Sequence, residues 1–453
     1  MGPLESDSSE RAIGLEVFYT DTPGSGGKVK KQCDDFLVEE ISRFPPRDDS
    51  GRFVIAKVTS ENWETNRLIR VLSHALGISR YRIGFAGTKD KRAITSQLMS
   101  FEAPLESVQK ISVHQVTIAD AYRAKKNMTI GDLIGNRFRI RVRDCAMEGD
   151  KLSSTVAATI AELEVLRGFP NFFGVQRFGS LRPITHIVGK HIIKGEFEKA
   201  VLAYAANPVP AENEEAREAR RFIQETHDFS EGLKMLPKPL MFERIVVGHL
   251  AQKPGDFPGA IMAMPRNLQM MFVHAYQSYL FNRILSERIR CGMPLNEPLV
   301  GDVVLPVDKD GLPDHDKYIP VTKTNLDLVA TQVRNGRAYV SAVLFGSESA
   351  LAKGEPGEIE GIIIAGEGID RPDFVVPIIP ECSSTGSRRE IVAKYSELSN
   401  SVKYRDLEIE LALGKGCYAT TFLREIMKVD AIESDRAVYL ESFQDAELPE
   451  SPD

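Results

Sequence analysis

Residues Arg137-Phe138-Arg139-Ile140-Arg141-Val142-Arg143 alternate a cation with an apolar side chain at every step. Successive side chains of a strand point to opposite faces. The run therefore predicts a β-strand with Phe138, Ile140 and Val142 on a buried face and four arginines on the other. Four guanidiniums on one face are costly unless water or phosphate surrounds them, so that face is either solvated or set against a phosphate backbone.

Around this strand the chain reads as mixed α+β. Val29–Lys57 predicts strands around Phe36-Leu37-Val38 and Phe53–Val58, separated by the turn cluster Pro45–Gly51. Ser60 is a candidate cap for a helix with the stripe Trp63, Ile69, Leu72 and Leu76, stopped by Gly77. Tyr81–Ala86 reads as a short buried strand running into a loop, and a helix is expected from about Ser153 to Arg167. Glu212–Glu231 looks like a solvated acidic helix. The longest helical pattern runs from Pro265 to Gly292, short strands and turns are expected from Leu299 to about Ile379, and a strand-and-helix unit closes the chain at Asp406–Val429.

With 453 residues the chain is expected to form two or three domains. It has no apolar run long enough for a membrane span, and its polar start lacks the apolar core of a signal peptide. Five cysteines (Cys33, Cys145, Cys291, Cys382 and Cys417) lie far apart, without the C-x-x-C pairs of a zinc ribbon. The expectation is a cytoplasmic protein with reduced thiols.

The net charge of −7 argues at first against a nucleic-acid partner. It resides, however, in the tail after Lys428, where eight acids face one base and the sum is −7. Residues 1–428 are neutral, and their charge is segregated. Between Glu64 and Glu102 the only acid is Asp90, among seven bases, and from Arg123 to Arg143 the only acid is Asp132, again among seven bases. Local basic surface is what captures a phosphate backbone.

Two clusters carry the candidate chemistry. In Phe85-Ala86-Gly87-Thr88-Lys89-Asp90-Lys91-Arg92, Gly87 permits a tight turn and Asp90 stands among cations that keep it ionised. It is either a nucleophile or base toward a phosphate-bearing substrate, or a cap for the next turn. In Asn171-Phe172-Phe173-Gly174-Val175-Gln176-Arg177-Phe178-Gly179, three aromatics interleave with Asn, Gln and Arg. The aromatics either stack on bases or pack in a domain junction. Gly24–Lys28 lacks the full P-loop pattern, Asp308–Asp316 lacks EF-hand spacing, the histidines show no ligand pattern, and there is no G-x-S-x-G elbow. A cofactor-free mechanism remains.

Both clusters, together with Asp34–Glu40, Gly135-Asn136-Arg137-Phe138, Gln277-Ser278-x-Leu280-Phe281-Asn282 and Gly416–Glu425, resemble the TruD family of tRNA pseudouridine synthases. The matches run in family order over most of the chain, and the long middle is similar to archaeal or eukaryotic members. The resemblance implies a pseudouridine-synthase catalytic domain with a mixed or antiparallel sheet, built from residues 1–189 and 377–453. An inserted α/β TRUD domain at 190–376 would form the other wall of an RNA cleft. It implies isomerisation of uridine to pseudouridine in tRNA, typically at position 13 of the D stem, by base flipping and without metal or organic cofactor. No membrane or obligate protein partner is implied, and a monomer suffices.

By motif position, Asp90 matches the catalytic aspartate, Lys89 the lysine before it, Phe173 the aromatic that stacks on the base and Asn171 a polar neighbour. Gln176 and Arg177 share that segment as expected substrate contacts. Many pseudouridine synthases carry a cation directly after the Tyr-like position of the C-terminal motif, whereas here Tyr418 is followed by Ala419-Thr420-Thr421. The cation near Asp90 is then Lys30, Lys31, Lys89 or Arg424. The rival readings are an RNA-binding module without catalysis and a glycosylase that releases uracil.

Overall fold

The computed structural model describes residues 2–89, 91–434 and 436–437. Asp90 and most of the acidic tail, including Asp435 and Glu441, lie outside the described residues. The strands, in chain order, are β1 Phe36–Ser42, β2 Phe53–Glu61, β3 Ile83–Phe85, β4 Ile94–Phe101, β5 Val116–Ala124 and β6 Leu133–Val142. They continue as β7 Phe169–Pro170, β8 Val303–Pro306, β9 Ile319–Pro320, β10 Ala338–Leu344, β11 Ser387–Glu390, β12 Val392–Ala393, β13 Tyr395–Lys403 and β14 Asp406–Gly414.

The main sheet runs β13-β14-β6-β1-β4-β2-β5, with β3 added to β4. Among the described residues only β1 and β4 pair in parallel, so the sheet is mixed, and β6 meets β14 from near the other end of the chain. A smaller sheet, β11-β10-β8-β9, belongs to the middle of the chain, and β7 bridges to β12. Its edge strand β11 comes from 387–390 and pairs with β10. No described helix is long and apolar enough to cross a membrane.

The arginine strand forms as its alternation predicts: Phe138, Ile140 and Val142 are buried and pack with Phe36, Leu163 and Phe422 under helices Gly149–Leu166 and Ala419–Met427. The arginine face is neither bare nor reserved for phosphate. Neighbouring strands bring carboxylates to it, with Arg137 on Glu397 at 2.7 Å and Glu39 at 3.3 Å, Arg139 on Glu408 at 2.6 Å and Arg143 on Asp35 at 2.7 Å.

Other expectations shift for physical reasons. Pairing with β4 and β5 carries β2 to Glu61, so Ser60 is strand. The cap of helix Thr65–Leu76 is Glu64, whose carboxylate accepts the amides of Asn66 and Arg67 at 2.9 and 2.8 Å. Gly77 ends that helix at φ 64°, as expected. The acidic stretch splits into helices Glu214–Thr226 and Phe229–Met235. It is not solvated all round, because Arg220 is 1% exposed between Glu212 and Glu243. Leu299–Ile379 holds helices Leu326–Arg334 and Gly354–Gly366 besides its strands. The long helix, Arg266–Arg290, is the spine of the largest core cluster.

Candidate active site

The face of β1 and β6 that carries Phe36, Val38 and Phe138 ends in a cleft of about 190 Å³. These apolar side chains form its floor, and the first residues of helix Ala419–Met427, with Tyr418 before them, form one wall. Thr88 and Lys89 approach from the loop after β3, and Gln176 from the aromatic segment. Asn136, on β6, faces Glu40 on β1 and Leu413 on β14 in register.

Lys89 is fixed by a buried ion pair. Its Nζ lies 2.6 Å from Glu40 Oε2, with side chains 4% and 0% exposed. Its amide donates to Thr65 Oγ1 at 2.8 Å, while Glu40 Oε1 accepts the Ser42 hydroxyl at 2.6 Å. A buried pair is weak evidence for stability but strong evidence for a held position, since neither partner can leave without stranding the other. The residue bonded to Lys89 is Asp90, which lies outside the described residues.

Lys30 is buried against the floor. It is 6% exposed and adopts φ 55°, uncommon for a residue with a side chain. Its Nζ lies 4.3 Å from the Phe36 ring centroid. Lys31 points outward to Asp144 at 2.9 Å.

The aromatic segment backs the opposite wall. Asn171 is fully buried: its Nδ2 donates to Glu390 Oε1 at 2.8 Å and its Oδ1 accepts from Arg389 at 2.7 Å. Burial alone would raise the Glu390 carboxyl, but the His315 hydrogen bond and the Arg389 charge outweigh it and hold the group below the ordinary carboxylate value. The Phe173 amide donates to Asn282 Oδ1 at 2.8 Å. The Phe173 ring meets Phe281 edge-on at 5.5 Å and Tyr418 at 6.3 Å, under the Arg389 guanidinium at 4.3 Å. Tyr418 thus stands in the cleft wall and Phe173 behind it. Arg177 donates to Ser278 Oγ at 3.1 Å, and burial, together with Arg389, lowers it from the ordinary arginine value against the opposing effect of Tyr418.

Arg424 is elsewhere. Its side chain is 1% exposed, with NH2 2.8 Å from Glu10 Oε2 and its guanidinium 4.0 Å from the Phe18 ring. Of the expected residues, the structure therefore brings Lys89 and Gln176 into the cleft lining. It buries Asn171 and Phe173 behind the wall, with Arg177 half-buried against Phe173, and Lys30 against the Phe36 ring. It pairs Arg424 with Glu10 and Lys31 with Asp144. Sequence reasoning missed Arg389, and it quoted Glu40, Asn136 and Thr420 in motifs without giving them a task.

An apolar floor, an aromatic wall and a fixed cation suit a flat, weakly polar ring better than a charged small molecule. The profile of the family described as "tRNA pseudouridine synthase D (TruD)" matches residues 12–426. The chain belongs to the TruD family of tRNA pseudouridine synthases. Membership makes it an isomerase by class. It is similar to a Methanococcoides burtonii protein named "Probable tRNA pseudouridine synthase D", 44% identical and covering 94% of this chain and 98% of the relative. A Methanosarcina acetivorans protein of the same name is 41% identical over 96% of this chain and 100% of its own. The crystal structure of a Methanosarcina mazei TruD protein superposes with a TM-score of 0.84 at 40% identity, covering 95% of this chain and 100% of that one.

Proposed function

We propose that this chain isomerises uridine to pseudouridine in tRNA, at position 13 of the D stem, with Asp90 as its catalytic aspartate. The observation that carries the reading is the cleft itself, an apolar and aromatic pocket beside Lys89, in a chain of this family. The reaction breaks the N1–C1′ bond and forms C5–C1′, while the proton at C5 leaves and N1 takes one up, so nothing is gained or lost. Asp90 either adds to the base or sugar, or removes the C2′ proton. Lys89, the residue before Asp90 in the chain, is held by Glu40.

The target base must leave its stack, at a cost of a few kcal/mol. Stacking on the aromatic wall, where Tyr418 lines the cleft and Phe173 backs it, returns about 1–3 kcal/mol. Arg177 and Arg389 hold that surface in place. In this reading residues 190–376 form the inserted unit that closes the RNA cleft from the far side, and residues 1–189 with 377–453 form the catalytic unit.

The test uses unmodified tRNA transcript with U at position 13, EDTA in the buffer, and carbodiimide labelling read by primer extension. Wild type should give one D-stem stop, and Asp90→Ala should give none while binding the same transcript. Binding without product on any tRNA would favour a non-catalytic RNA-binding protein. Release of free uracil would make the chain a glycosylase.

A further inference from the structure

Oδ1 of Asn136 and Oγ1 of Thr420 are both shut off from solvent with no hydrogen-bond partner among the described residues, and both residues line the cleft. Buried polar atoms of native proteins are nearly always paired, so two orphans in one pocket mark a place where a ligand completes the bonding. The positions are rigid. Asn136 lies on β6 between β1 and β14. Next to it, Gly135 lets the Leu413 carbonyl approach to where a Cβ would be only 2.2 Å away. Thr420 lies in the first turn of its helix, and a Cβ at Gly174 would stand 3.1 Å from its hydroxyl.

We infer that Asn136, assisted by Thr420, binds the imide edge of the target uracil and is the pivot on which the detached base turns. This rests on the reading that the chain isomerises uridine. A carboxamide offers one acceptor and one donor side by side, and so complements the uracil N3–H and a flanking carbonyl. Replacing N1 by C5 at C1′ requires a half-turn of the ring about the line through N3 and C6. That turn exchanges O2 with O4 and leaves N3–H in place. The hydrogen bonds from Asn136 are therefore the same before and after the turn, whereas a group bound to N1 or C5 would have to let go. The apolar floor of Phe36, Val38 and Phe138 offers no competing polar contact to the turning ring. Asn136 is a binding and positioning residue, and the bond chemistry stays with Asp90.

The experiment compares single-turnover rates for wild type and Asn136→Ala on tRNA carrying uridine or N3-methyluridine at the target. Asn136→Ala is expected to slow uridine turnover about 10- to 100-fold, the loss for one buried hydrogen-bonding partner, with tRNA Kd within about twofold. N3-methylation should slow wild type by a similar factor and the variant by less than about threefold, because the contact is already gone. Each protein is its own reference for the methyl effect, so poor folding of the variant does not imitate this coupling. Equal methyl effects in both proteins, or a variant rate within about threefold of wild type, would overturn the inference and leave the activity standing. No pseudouridine from wild type on any uridine target would overturn the functional reading, and this one with it.

Discussion

Arg424 is the expected site residue whose surroundings argue most directly for another role, and replacing it by Met separates the two. Its Nε lies 3.1 and 3.0 Å from the two Glu10 oxygens, its NH2 2.8 Å from Oε2, and its NH1 donates to the Val17 carbonyl at 3.0 Å. Both side chains are 1% exposed. Arg424→Met leaves the Glu10 carboxylate buried with only the Ala431 amide, at 3.0 Å, still donating to it. Stranding one partner of a buried pair costs about 3–5 kcal/mol, or roughly 10²–10⁴ in a local opening equilibrium. The loss should appear where the pair ties the chain together, so hydrogen exchange is the assay. Protection in peptides covering residues 8–20 and 419–427 should fall by that factor. The double variant Glu10→Gln/Arg424→Met removes the stranded charge and should recover at least about 1.5 kcal/mol of it. Unchanged protection in Arg424→Met, combined with a large loss of turnover, would refute the structural role and return Arg424 to the list of substrate contacts.

Two further outcomes follow from the same kind of reasoning. Burial lowers His186 to about 4 against an unfolded value of 6.5, so it folds neutral. Its contribution is complete above pH 6.5 and is lost as pH falls from 6.5 through about 4, amounting to roughly 3 kcal/mol. The urea midpoint of wild type should drop across that window and that of His186→Gln should drop less; parallel profiles would count against it. Arg139 is 55% exposed and paired with Glu408, so Arg139→Ala should change tRNA affinity by less than about twofold and leave its salt dependence unaltered. A tenfold loss would place phosphate on that face after all.

Patterns that a few neighbouring residues decide were legible in the sequence. The alternation at 137–143 produced β6, Gly77 ended its helix, and the apolar stripe after Pro265 produced the helix Arg266–Arg290. What escaped was settled by distant partners. No local signal tells Arg137 that Glu397 lies across the sheet, or Lys89 that Glu40 will be buried against it. The helix Gly354–Gly366 contains four glycines, one proline and an isoleucine run, a local text that favours turns and strands, and packing against the helix Arg266–Arg290 overrides it. At the site, Gln176 and Lys89 were found because their motifs are dense. Arg389 was not, and Glu40 and Thr420 stood in quoted motifs without a task, because each gains its task only when remote segments close on one cleft.

The meeting of β6 and β14 also has a consequence for the nascent chain. About 260 residues separate Val142 from Asp406, and at about 5–20 residues per second the ribosome needs roughly 13–50 s to make them. Through that interval β6 is a sheet edge with unpaired amides and carbonyls. An edge of this kind invites strands from other molecules, and charged side chains along it are a known deterrent. Arg137 and Arg143 already have Glu39 and Asp35 as partners from the earlier chain, whereas Arg139 and Arg141 stand first as a repulsive fence on an unfinished sheet. Only when Glu408 and Glu410 emerge on β14 are these two matched by acids, and the fence becomes a seam.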